Sequence, residues 1–154
     1  CGHGQGSFVW RNAVPAIRQG FISDSISTDL HRGNTNGPVV NMINVMSKYR
    51  CLGLSLEDVI RRSTVNPARE IRHTELGSLS RGSVADVAVF EELSGDFTYL
   101  DTSGGGFRGE WKLEPVMTLF GGEIVFDPLA LSCPPWKNIP KDDDYWVNPS
   151  GQYH

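Results

Sequence analysis

The sequence predicts an α/β unit followed by a small, strand-rich unit. Over residues 1–75, strand-like and helix-like stretches alternate, the rhythm of an α/β layer structure. Within them Val39, Met42, Ile43, Met46 and Tyr49 recur at three- and four-residue spacing, the signature of one helix face. Past residue 76 the periodicity falls to two, and "PVMTLFGGEIVFD" reads as two apolar strands joined by Gly121-Gly122.

Taken in order, Gly2, Gly4 and Gly6 flank His3 and Gln5, a glycine density that predicts a loop. "NAVPAIRQG" predicts a short helix with Asn12 as its cap, Pro15 in its first turn and Gly20 just past its end. "SDSISTDLHRG" predicts a strand ending at the carboxylate of Asp29, then a Gly- and Asn-rich loop. Pro38 is expected to open the next helix and Gly53 to end it. Ser55 and Asp58 form a capping pair for "LEDVIRRST", and Asn66-Pro67 opens a last short helix. "SVADVAVFEE" and "DFTYLD" are two strand candidates ahead of the hairpin. Residues 134–154 read as an irregular tail, in which Trp136 and Trp146 predict packing over a body. The expected division is therefore 1–75, 76–133 and 134–154. Two strands cannot make a stable sheet covered on both faces, so further strands are expected upstream.

Composition bounds the function. The chain has 154 residues, 39% hydrophobic and 21% charged, which suits a globular domain. A net charge of -4 argues against nucleic acid or an anionic membrane surface as partner. No apolar run approaches the ~20 residues that span a bilayer. Cys1, Cys51 and Cys133 fit neither a zinc cage nor a disulfide framework, and Cys51 is expected to pack as a small hydrophobe. The chain opens on Cys1 rather than Met, as a fragment or processed chain would, and carries no leader from which a compartment could be read.

Asp29 and His31 stand two residues apart where a strand runs out. In α/β barrels, functional side chains gather at the carboxyl ends of parallel strands, where a carboxylate can bind a divalent metal or move a proton. The plainer alternative is that Asp29 caps the loop. His3 lies among glycines, where a ligand can approach the backbone; the alternative is a surface imidazole. One helix and one strand fit between His3 and Asp29, which places the two on adjacent parallel strands and on one face. His73 is expected to face solvent, and the acidic run Asp142-Asp143-Asp144 to be a solvated tail.

"TVNPAREIRHTELGSLSRGSVADVAVFE" resembles the C-terminal portion of the amidohydrolase superfamily, where the chain leaves the catalytic barrel and enters a small β-sandwich. "GHGQGSFVWRNAVPAIRQGF" with "DSISTDLH" is similar to the deacetylase branch, relatives of dihydroorotase and adenine deaminase. The resemblance implies the C-terminal βα units of a (β/α)8 barrel followed by sandwich strands. It implies a hydrolase acting on an amide C–N bond or an ester of a small polar molecule through a metal-activated water, with zinc as the usual metal. Asp29 matches the aspartate of the eighth barrel strand, a metal ligand and proton shuttle. His3 would end the seventh strand, and His3 and His31 would touch substrate or support the ligands. The His-x-His pair, strand lysine and two further histidines of that superfamily are absent from this chain, so the piece alone is expected to be inactive. A homo-oligomer is compatible with all of this. Two other readings share the pattern: a non-catalytic β-rich binding module, and a lyase or isomerase on the same scaffold.

Overall fold

Helix α1, Trp10–Arg18, has its cap position at Val9, three residues before the expected Asn12, so Pro15 falls in its interior rather than in its first turn. Its cap is remote. Val9 offers no side-chain cap, and the Trp10 amide instead donates to Asp101 Oδ2 at 2.9 Å, across 91 residues of sequence. Gly20 follows the helix with φ +84, the left-handed geometry that suits glycine at a helix end. The computed structural model describes residues 2–4 and 6–139; Cys1, Gln5, the acidic run 142–144, Trp146 and His154 lie outside them.

The expected strand into Asp29 is reduced to one parallel bridge, Gly2 with Ser27. His3 N–H donates to Ser27 O at 3.0 Å and Gly4 N–H to Thr28 O at 3.1 Å. The ladder stops on either side for local reasons. The Ile26 amide turns to Arg62 O at 2.8 Å, and Asp29 leaves the extended region with φ 48.

Helix α2, Met42–Cys51, begins four residues after Pro38, because Asn41 caps it by accepting the Asn44 amide at 2.8 Å. Gly53, at φ +102, closes the turn beyond it. Helix α3, Leu56–Ser63, has the expected Ser55 cap, whose Oγ accepts the Asp58 amide at 3.1 Å. Helix α4 spans Val65–Glu70. His73, just past it, is exposed and meets Glu75 at 2.7 Å.

Strand β1, Val87–Leu100, fuses the two separate strand candidates across a bulge between Ser94 and Phe97. It pairs antiparallel with β2, Gly106–Phe120, which pairs antiparallel with β3, Glu123–Phe126. The β2–β3 turn is Gly121-Gly122, with φ +59 and +88, as a tight hairpin requires.

Helix α2 packs on β2, and one core joins the helical part to the sheet. Phe8, Trp10, Ile26, Val39, Val45, Met46, Tyr49, Leu54 and Val59 are buried together with Tyr99 of β1 and Leu113 of β2. Cys51 packs against this core, and its thiol donates to Trp111 O at 3.1 Å. Trp136 departs from expectation. It lies in a single helical turn, Trp136–Asn138, and is 79% exposed. The segment before it is held by polar turns, with Asp127 accepting the Leu131 and Ser132 amides, and it leaves Leu129 and Leu131 more than half exposed.

Candidate functional site

The loop Gly2–Gly4 and the segment Ser27–His31 meet where the parallel bridge ends. This brings two of the three sequence candidates to one place. The exposed carboxylate of Asp29 lies directly over Gly4. A Cβ on Gly4 would overlap Asp29 Oδ2 and stand 2.9 Å from Cγ, and one on Gly2 would stand 3.3 Å from Asp29 Cβ. The glycines of "GHG" are therefore the surface on which the carboxylate sits. His31 follows at the loop's outer side. Its Nδ1 accepts the Gly33 amide at 3.1 Å, so the neutral ring carries its proton on Nε2 and offers a donor to solvent or to a bound molecule.

His3 points the other way. It is 1% exposed, stacks on Phe8 with ring centroids 4.6 Å apart, and its Nε2 lies 2.8 Å from Lys48 Nζ. Lys48 was not among the residues the sequence singled out, yet it is the hub beneath the site. It is 0% exposed, and Nζ also donates to Leu100 O at 2.6 Å and to Pro38 O. An ammonium has three donors, and here they have three acceptors. The His3 acceptor must then be an unprotonated Nε2, which puts the imidazole proton on Nδ1. Nδ1 itself is buried with no hydrogen-bond partner among the described residues.

Burial sets the charge states of this layer. Desolvation, and then the neighbouring Lys48 charge, push the His3 pKa down to about 4. Desolvation lowers that of Lys48 to about 8, with Asp101 opposing the shift. Asp101 is buried too. Burial alone would raise its pKa, but donors from Trp10, Ser103 and Gly105 hold it down to about 2. Helix α1, β1 and the Gly2–Gly4 loop are thereby tied together under the Asp29 seat.

Among the described residues no group of three or more His, Cys, Asp or Glu side chains could hold a metal ion. Asp29 fits as one ligand and no more, since catalytic zinc takes about three from the protein.

No protein-family model matches the chain. It is 34% identical over 124 residues to a deacetylase of Enterococcus faecalis, an alignment covering 80% of this chain and 34% of that protein. In structure it is similar to an adenine deaminase crystal structure, with a TM-score of 0.76 and 33% identity over 81% of this chain and 34% of the other. A dihydroorotase crystal structure gives a TM-score of 0.72 and 35% identity over 79% of this chain and 34% of the other. These relatives indicate the amidohydrolase superfamily. The chain spans about a third of the length of the relatives it matches. The mixed α/β content agrees with those neighbours, and parallel pairing among the described residues is confined to the Gly2–Ser27 junction.

Two residues in the site gave little signal in the sequence. Lys48 sits in "MSKYR" two residues from Arg50, where a lysine is ordinarily solvated, and it lies off the Met42–Met46–Tyr49 stripe; it is buried because α2 is covered all round over Val45–Tyr49. Asn34 lay in a loop read simply as polar, yet it is 2% exposed.

Proposed function

We propose that this chain is the C-terminal portion of a metal-dependent amidohydrolase or deacetylase. In this reading residues 1–75 supply the last βα units of a (β/α)8 barrel, residues 76–133 supply strands of the small sandwich, and 134–154 form a tail. The reaction is hydrolysis of a C–N (amide) or ester bond in a small polar substrate. The observation that carries the reading is the seating of Asp29, whose carboxylate stands at the end of a parallel junction on a glycine surface shaped to receive it. The similarity to a deacetylase over four fifths of the chain supports the reaction class.

A divalent ion, zinc being the superfamily's usual choice, would supply Lewis-acid activation of the water and the substrate carbonyl when bound. Asp29 would be one of its ligands, and its free carboxylate oxygen would take the proton of the attacking water and hand it to the leaving amine. His31 would present its Nε2 proton to an oxygen of the substrate. His3, held by Lys48, would support the floor of the site from below. The remaining ligands belong to segments outside this chain, so the isolated 154 residues should neither hydrolyse nor retain the ion.

The deciding test is the coding sequence immediately upstream of Cys1. A continuous frame carrying His-x-His, a strand lysine and two further histidines is the expected result. A start codon immediately before Cys1 would leave Asp29 without ligand partners and overturn the reading.

A further inference from the structure

Asp29 is one of four described non-glycine residues with positive φ, at 48. Aspartate enters the left-handed region more readily than most L-residues, but holding it there still costs free energy that its surroundings must offset. One side chain is placed to impose it. Asn34, 2% exposed, donates from Nδ2 to the Asp29 carbonyl at 3.1 Å and accepts the His31 amide on Oδ1 at 2.8 Å. The carboxamide thus bridges the peptide groups on either side of Leu30.

The loop does not need that side chain to close. Its own backbone does so, with the Asn34 amide donating to His31 O at 3.0 Å and the Asn34 carbonyl accepting from Gly37 and Val40, each at 3.3 Å. Both side-chain bonds of Asn34 among the described residues go to backbone atoms of Asp29 and His31. A buried amide engaged in this way is costly to leave unmade, at roughly 1–3 kcal/mol per unpaired group, which makes it a firm constraint.

We infer that Asn34 is the positioning residue of this site: its carboxamide clamps the left-handed turn at Asp29 and so aims the Asp29 carboxylate and the His31 ring. The inference rests on the proposed role of Asp29. It assigns Asn34 no contact with substrate or ion.

The test uses the full-length protein that carries this chain, with three variants. Asn34→Leu removes both bonds at similar size. Asn34→Asp keeps the acceptor for the His31 amide and loses the donor to Asp29. Asp29→Asn reports on the underlying reading. Three quantities are measured: kcat and KM separately, bound metal per chain, and hydrogen exchange of the His31 amide. For Asn34→Leu we expect kcat to fall at least about tenfold with little change in KM, lowered metal content, and at least about tenfold faster His31 exchange. For Asn34→Asp we expect a loss of kcat with His31 protection retained. Normal kcat and normal metal content in a folded Asn34→Asp protein would overturn the inference, as would unchanged His31 exchange in Asn34→Leu. If Asn34→Leu does not fold, Asn34→Asp decides alone. Full activity in Asp29→Asn would sink the functional reading instead, and that outcome is distinct because it leaves the exchange result standing.

Discussion

At the level of single residues, the site is built from what glycine omits and what burial fixes. Gly4 has φ +32, and an added Cβ would occupy the place of Asp29 Oδ2. Gly4→Ala in the full-length protein should therefore displace the carboxylate by about an ångström and cut turnover by about 10²-fold. Steady-state kinetics beside a thermal melt checks this, since an equal loss of activity and fold would point to simple destabilisation. Asp29→Asn makes a cleaner change. The amide is nearly isosteric but cannot take a proton, so a loss of roughly 10²–10⁴-fold in kcat with an unchanged melting temperature is expected. Near-normal rates would remove Asp29 from the chemistry. Neither residue's setting was hidden from the sequence. An acid closing "SISTD" and a triple-glycine loop one βα unit earlier were both visible, and the bridge from Gly2 to Ser27 joins them, but the expected shared face is not kept, since His3 turns into the core while Asp29 is exposed. Lys48 and Asn34 were not visible as site residues. A lysine on a helix and an asparagine in a loop become structural only when distant backbone carbonyls and amides arrive to bond them, and local pattern does not encode those arrivals.

At the level of elements, helices were easier to read than strands because helix caps are local. The Ser55 cap and the Gly20 and Gly53 ends follow from neighbours in sequence. The start of α1 did not, because its cap is Asp101, the residue just beyond β1. The first half of β2 also escaped notice, since "GFRGEWKLE" mixes glycines and charges. Its reason is tertiary. Gly109 passes so close to α2 that an added Cβ would overlap the Cys51 thiol and stand 2.6 Å from Cys51 Cβ. The gap between the two strand candidates is a bulge between Ser94 and Phe97 inside one long strand. A prediction belongs at this contact. Gly109→Ala should overpack the α2–β2 interface and destabilise the protein by about 1–3 kcal/mol in urea unfolding. The double variant Gly109→Ala with Cys51→Ala should recover only the thiol's share of that loss, because the Cβ at position 51 still stands 2.6 Å from the added one. Additive losses in the double variant would show that the thiol contact plays no part in requiring glycine.

For the whole molecule, the buried Lys48–His3–Asp101 layer joins the helical part to the sheet, so its ionisation should show in global stability. His3 titrates near 4 when folded against an ordinary value of 6.5, so its neutral form is the folded one. Its contribution is complete above about pH 6.5 and is lost as pH falls through 4, by about 3 kcal/mol at most. Asp101, held down to about 2 by its amide donors, contributes stability above its ordinary 3.8 and loses it as pH falls toward 2. Lys48 is lowered from 10.5 to about 8, so the folded state releases this proton before the unfolded chain does, and stability climbs as pH rises from 8 toward 10.5. Opposing that climb, burial raises the pKa of Tyr49 and of Tyr99 above 10, so stability is lost again where the unfolded phenols ionise. The expected profile rises from pH 4 to 6.5, is nearly level to 8, and peaks in mildly alkaline buffer. Urea unfolding at pH 5, 7 and 9 should give free energies in ascending order, and Lys48→Met should abolish the rise between 7 and 9 while lowering stability throughout by leaving three buried acceptors without a donor. A maximum near pH 5 in the unsubstituted protein would mean that the ammonium and the imidazole are hydrated rather than buried, and that the layer is not the joint between the two halves of the fold.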